Sequence, residues 1–169
     1  MSKLSARALI KIATVSAIYI ALTLVLGDFS YGAIQFRISE ILLLLCFYEK
    51  KYAYSLVLGC AIANCFSSLG LIDVLVGTLA TLLTVIFITR SKNLLVASLW
   101  GPIFNLIIGL ELHFVLQLPL FITLLQVFIG EAVVLLLIGL PLFTFLEKNQ
   151  NFINLIMISE ERKDEDAGI

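Results

Sequence analysis

The sequence predicts an all-α, polytopic membrane protein with six transmembrane helices. Three observations lead there. Of 169 residues, 61% are apolar and the mean hydropathy is +1.10, against about 45–50% apolar in soluble domains. Only 14% are charged, where about 25% is usual. The apolar residues also fall in long runs with basic residues between them. This composition excludes a soluble globular domain, a disordered chain and a coiled coil. With 12 acidic and 11 basic residues there is no basic footprint, so nucleic acid is not an expected partner.

A crossing helix needs about 20 apolar residues at about 1.5 Å each. Residues 8–27 satisfy that, and no Ala-x-Ala-like cleavage site follows Leu26, so the first helix is read as uncleaved. Residues 52–72 satisfy it; residues 74–89 are short but uninterrupted. Residues 94 to about 112 form the fifth span, and residues 119–146 the sixth, with Pro141 expected to bend its inner end. Residues 38–48 are too few to cross alone. Extended back to Ala33 the segment takes in Arg37 and Glu40, so it reads as a short or partly covered second helix. One membrane domain over residues 1–147 is expected, followed by a charged cytoplasmic tail, 148–169, whose SEERKDED stretch reads as solvated.

The basic residues support six spans. With both termini cytoplasmic, the inner segments hold Lys3, Arg7, Lys11, Lys50, Lys51, Arg90, Lys92, Lys148, Arg162 and Lys163. Only Arg37 is left outside, as the positive-inside rule requires. Trp100 then sits near the inner end of the fifth helix and reads as an interfacial anchor. Cys46, Cys60 and Cys65 lie in apolar runs and read as small buried hydrophobes; with His113 the one histidine, a zinc site is not expected.

The unusual residues are acids. Asp28, Glu40, Asp73, Glu111 and Glu131 lie in or beside apolar runs of the outer half, with Arg37 as the one base. A charge near the bilayer centre costs about 2.5–3.5 kcal/mol, so such groups must face the bundle interior and mark a functional site. Arg37 and Glu40, at i and i+3, pair on a helix. The remaining acids need another partner: a cationic or hydrogen-bonding ligand, or protons. Asn64, Ser67 and Ser68 share one face of the third helix; Asp73, Gly77, Thr81 and Thr84 form a stripe on the fourth. Gly101, Asn105 and Gly109 line the fifth, and Gln126 and Gly130 share a face of the sixth beside Glu131. Small residues also serve ordinary helix packing, and helix 1 carries such a series at Ala13, Ala17 and Ala21.

Neither a P-loop, H-E-x-x-H, G-x-S-x-G nor a paired catalytic aspartate motif occurs, so no enzyme and no cofactor is expected. A small membrane binder that needs partners fits better than a complete transporter, because no inverted repeat is evident.

Several motifs in order resemble the QueT family of substrate-binding (S) components of energy-coupling factor (ECF) transporters. They are Gln35-Phe36-Arg37-Ile38-Ser39-Glu40, Gly59…Asn64, Asp73-x-x-x-Gly77-Thr78, Asn105-x-x-x-Gly109-Leu110-Glu111 and Gly130-Glu131-Ala132-Val133. The resemblance runs from about Ala8 to Glu147. It implies a six-helix S component in the bacterial cytoplasmic membrane, taking up a queuosine precursor such as 7-aminomethyl-7-deazaguanine. It implies a membrane coupling subunit and two ABC ATPases as partners, with Ala13, Ala17 and Ala21 matching the docking face on helix 1.

The chemistry of such a ligand assigns roles. A guanine-like edge offers adjacent N1–H and NH₂ donors that one carboxylate accepts together. Glu131 is the first candidate and Glu111 the second. Asn105, Gln126 or Asn64 can serve O6 or N7. Asp73 or Glu40 can take the aminomethyl cation, and Arg37 can orient Glu40 or reach the carbonyl. Phe36 and Phe66 are candidates for stacking on the base. The alternatives are a stand-alone proton-coupled transporter of a small cationic metabolite, using Glu111 and Glu131, and a scaffold whose polar groups only fix helix packing.

Overall fold

A computed structural model of the chain describes residues 5–30 and 35–158, without the side chains of Asp28 and Phe29. The described residues are helical throughout, with no strand. Helix α1 (Ala6–Val25) starts at Ser5, whose Oγ accepts from the Ala8 N–H at 3.2 Å. A single turn, α2 (Gly27–Ser30), follows. The chain resumes in a 3₁₀ segment, Ile38–Leu44, continued by α3 (Leu45–Tyr48). Then come α4 (Tyr52–Asn64) and α5 (Leu71–Ile88). The fifth apolar run forms α6 (Leu94–Phe104) and α7 (Leu106–Leu116). The last forms α8 (Leu120–Ala132), a π-helical stretch (Val133–Gly139) and α9 (Leu140–Leu146), and α10 (Gln150–Ile156) closes the described chain.

Four helical stretches are long and apolar enough to cross a membrane: Ala6–Val25, Leu71–Ile88, Leu94–Leu116 and Leu120–Leu146. Two further apolar helices, Ile38–Tyr48 and Tyr52–Asn64, are shorter. The bounds expected for the third helix, 52–72, are therefore corrected. α4 stops at Asn64, and residues 65–70 turn the chain through Gly70, whose φ of 62° suits glycine. At 13 residues α4 is about 20 Å long, short of an apolar core of about 30 Å. The one face expected for Asn64, Ser67 and Ser68 is lost with it, since both serines lie in the turn.

Two of the long runs bend their backbone for a local reason. Pro102 has no N–H to return to Ser98, and the fifth run breaks three residues later, at Asn105. Pro141 does the same to the carbonyl of Leu137. The chain accommodates it by widening into the π stretch just before it.

The helices pack around a core that includes Tyr19, Leu43, Leu44, Leu56, Ile88 and Leu135. α4 meets α1 and α5, and α7 pairs with α8. Trp100 is half-buried; it donates to Ser91 Oγ at 3.0 Å and packs on Phe87 and Phe104. α10 folds back on the bundle: Lys11 Nζ donates to the Met157 carbonyl at 2.8 Å and the Tyr52 hydroxyl to that of Ile156 at 2.8 Å. Ile156 and Ile158 are buried there. The SEERKDED stretch, Lys3 and residues 31–34 lie outside the described residues.

At the α7–α8 crossing a Cβ on Gly109 would lie 3.2 Å from the Leu124 Cα and 2.9 Å from its Cδ2. Backbone cannot yield there as a flexible side-chain tip can. Gly109→Val is expected to cost about 1–3 kcal/mol by overpacking. Thermal unfolding in detergent checks this, and an unchanged midpoint would mean the two helices separate freely.

Candidate functional site

Gln35 enters the 3₁₀ segment at φ 50°, a conformation uncommon outside glycine and frequent at functional sites. In a 3₁₀ turn residues i and i+3 eclipse one another. Arg37 and Glu40 are thereby brought side by side, with Nη1 and Oε1 3.8 Å apart and both residues at most 3% exposed. The pair is held from three sides. The Tyr19 hydroxyl of α1 donates to Glu40 Oε1 at 2.6 Å. Thr23, one turn on, donates to the Tyr19 carbonyl or shares a 2.7 Å bond with Ser39. Arg37 Nη1 also points at Cys60 Sγ of α4, 3.8 Å away.

Cys60 is the junction between that pair and the α4–α5 contact. Its sulfur accepts from Thr81 at 3.1 Å and from Asn64 Nδ2 at 3.4 Å. Asn64 donates as well to the Asp73 carbonyl at 3.1 Å. A Cβ on Gly77 would strike Asn64 Nδ2 and come 3.3 Å from Asp73 Oδ1, so the crossing demands glycine. On the far wall, Glu131 of α8 lies against Gly101 of α6, where a Cβ would be 3.1 Å from its Oε1. Asn105, buried at the break after α6, interacts electrostatically with the Glu131 carboxyl. Glu111 of α7 completes the group. The Arg37 charge acts on Glu40, Asp73, Glu111 and Glu131, so four acids lie within electrostatic reach of one guanidinium.

Several acceptor oxygens of the cluster lack a donor among the described residues. They are Glu40 Oε2, Asn64 Oδ1, Asp73 Oδ1, Glu131 Oε1 and both Glu111 oxygens, all buried. Such oxygens cost free energy until a donor reaches them. A ligand with several N–H groups, or a cation, supplies what they lack.

Eight of the sequence candidates are accordingly buried or packed at this cluster or beside it. Arg37, Glu40, Asn64, Asp73, Asn105, Glu111 and Glu131 are buried, and Phe36 is half-buried against the core. Gln126 sits half-buried on the flank of α8, off the buried stripe of Thr123, Val127, Gly130 and Glu131. Phe66 is 65% exposed in the turn after α4, which does not support stacking on an interior ligand. The Asp28 side chain lies outside the described residues. Ala13, Ala17 and Ala21 are all exposed along one side of α1, while Ser16, Tyr19 and Thr23 face inward.

Two cysteine expectations are corrected. Cys65 is exposed, because α4 ends before it; Cys60 is buried but is a polar junction rather than a filler. The sequence reading also missed Tyr19 and Thr23. Their signal was present: Ser16, Tyr19 and Thr23 follow i, i+3, i+7 spacing, with polar groups inside an apolar span.

A buried cluster of acids among apolar helices is what a membrane transporter of a hydrogen-bonding solute would carry. The family model described as QueT transporter matches residues 9–148. The chain belongs to the QueT transporter family. The "Queuosine precursor transporter QueT" of Lactococcus lactis subsp. cremoris (strain MG1363) is 35% identical over 148 residues, covering 78% of this chain and 87% of that protein. No solved structure matches the chain. As a transporter with several apolar helices, this family member is a membrane protein.

Tyr19→Phe removes one hydroxyl and leaves Glu40 Oε1 without that donor. The expected loss is about 1–3 kcal/mol of stability. Thermal unfolding of the two proteins in one detergent checks it; equal midpoints would show that Glu40 is held without Tyr19.

Proposed function

We propose that this QueT family member is the S component of an ATP-driven ECF importer and that it binds a 7-deazaguanine queuosine precursor, such as 7-aminomethyl-7-deazaguanine. The carrying observation is the set of buried acceptor oxygens without donors around Arg37. The name of the Lactococcus relative, a queuosine precursor transporter, supports the substrate class. In this reading the membrane domain is residues 1–147, the chain crosses six times, and both termini are cytoplasmic in a bacterial cell membrane. The two short helices, Ile38–Tyr48 and Tyr52–Asn64, then cross with part of their length covered by protein or by a thinned bilayer.

Glu131 accepts the base's N1–H and exocyclic NH₂. A carboxylate has about four lone-pair sites, and Glu131 Oε1 has no partner among the described residues, so both donors can be accepted. Asn105 serves O6 or N7 from beside it, and the free Asn64 Oδ1 accepts a further ligand N–H. Asp73 and Glu111 receive the aminomethyl cation, and Arg37 orients Glu40. Phe36 is the remaining candidate for stacking on the base. The exposed Ala13, Ala17 and Ala21 dock on the membrane coupling subunit, which two ABC ATPases drive.

Calorimetry of the purified chain with 7-aminomethyl-7-deazaguanine tests the site, with guanine as control. Saturable submicromolar binding is expected, and Glu131→Gln should weaken it more than tenfold while the protein still unfolds cooperatively. An affinity untouched by that substitution would remove Glu131 from the site; no binding to folded wild-type protein would remove the ligand class.

Docking is tested separately. Ala17→Leu places a bulky side chain on the exposed stripe, far from the acceptors. Ligand affinity should persist while the yield of complex with the coupling subunit falls at least fivefold. Normal yield would move the docking face elsewhere.

A further inference from the structure

Asn64 has one polar end committed to the protein and one left over. Its side chain is buried at the last turn of α4. Nδ2 donates to the Cys60 sulfur at 3.4 Å and to the Asp73 carbonyl at 3.1 Å, so both amide hydrogens are spent on acceptors of the chain. Turning the amide over would set its oxygen against that sulfur and that carbonyl and lose both bonds. Oδ1 therefore points away from them, and it has no donor among the described residues. In this orientation Asn64 can accept from a ligand but cannot donate to an O6 or N7.

The small groups beside it spend their hydrogens on one another. The Cys60 thiol donates to the Gly77 carbonyl at 3.7 Å, and the Thr81 hydroxyl donates to the Cys60 sulfur at 3.1 Å. Asp73 adds a second acceptor to the same wall. Its Oδ1 lies 3.3 Å, and the Asn64 Cγ 3.4 Å, from where a Cβ on Gly77 would stand, so the two side chains flank one glycine. Asp73 Oδ1 and both Glu111 oxygens are buried and likewise without a donor among the described residues. Asp73 and Glu111 are within electrostatic reach of each other. Such a wall suits a group with a positive charge and several N–H bonds. A primary ammonium has three and no lone pair. A nitrile in its place would meet acceptors with an acceptor, and a site made for an N–H rejects the analogue that lacks it.

We propose that Cys60 is a positioning residue that holds the Asn64 amide oxygen toward the ligand, and that Asn64 and Asp73 thereby select a ligand bearing a primary ammonium over the same ligand bearing a nitrile. The proposal rests on the importer reading above and narrows it from deazaguanines in general to the aminated ones. Cys60 acts through Asn64 rather than by touching the ligand.

The test is calorimetry of the purified chain with three ligands: 7-aminomethyl-7-deazaguanine, 7-cyano-7-deazaguanine and unsubstituted 7-deazaguanine. Wild-type protein should bind the aminomethyl compound at least tenfold more tightly than the cyano compound. Cys60→Ala should lower that preference at least threefold, while affinity for the unsubstituted base changes less than twofold. Cys60→Ser keeps an acceptor for Asn64 and a donor for the Gly77 carbonyl, and should restore most of the preference. Asn64→Leu, close in size but without the amide, should weaken the aminomethyl compound alone. Equal binding of amine and nitrile by the wild type would overturn the proposal and leave the deazaguanine site standing. A parallel loss of all three ligands in Cys60→Ala would also overturn it, because a residue that only fills space acts on them alike. So would a preference unchanged in both Cys60→Ala and Asn64→Leu. No binding of any of the three to folded wild-type protein would remove the ligand class, and this proposal with it.

Discussion

One guanidinium among four carboxyls is the constraint on which this bundle is organised. In an apolar interior an unpaired charge is costly, and an ion pair there does little for stability compared with well-packed hydrophobic residues. The Arg37–Glu40 pair therefore has no evident value as a staple alone. Its value lies in geometry. The 3₁₀ turn eclipses the two side chains, Tyr19 occupies one Glu40 oxygen, and the other stays open. Arg37 also lies within electrostatic reach of Asp73, Glu111 and Glu131, so it tempers four acids without covering them. The result is a wall of acceptors that the described residues leave without donors.

The departures from regular helix gather at that wall. Gln35 takes a positive φ two residues before Arg37, α4 stops at Asn64, the fifth run breaks at Asn105, and the π stretch begins two residues after Glu131. In a membrane, irregular backbone is tolerated only where protein or a polar cavity covers it. Each departure here places one polar side chain among the others. Glycine supplies the remaining closeness: Gly77 lets Asn64 approach α5, and Gly101 lets Glu131 approach α6.

Composition and charge made the class of protein legible, because burial in lipid leaves a coarse imprint on every residue. The buried acids were legible too, since Glu111 and Glu131 have no cheap place in an apolar run. Helix ends were less so. Apolar residues recur from α4 through Cys65 and Phe66 into α5, and Ser67, Ser68 and Gly70 are a weak mark of the turn against them. Cys60 was misread because a thiol looks apolar in a run of apolar neighbours; its polar role exists only where Arg37, Asn64 and Thr81 converge. Tyr19 and Thr23 were hidden by the same averaging. A single hydroxyl barely alters a hydropathy window, yet it decides which oxygen of Glu40 is free.

Helix α1 connects the two surfaces that the proposed function needs. Its inner face carries Ser16, Tyr19 and Thr23; its outer face exposes Ala13, Ala17 and Ala21. Tyr19 lies midway along the chain between Ala17 and Ala21. Where α1 crosses α4, a Cβ on Gly59 would stand 3.1 Å from Ser16 Oγ, so the two helices are already in tight contact. A close-packed interface passes on displacement rather than absorbing it. Pressure on the alanine stripe would thus act on the same rigid helix that holds Glu40 through a 2.6 Å bond. In the proposed role, displacement of α1 by a docked partner would change the position of Tyr19 and, with it, the balance of donors and acceptors around Glu40. The small-residue stripe and the buried hydroxyl are two faces of one helix, so a partner contact proposed for the one would act on the other.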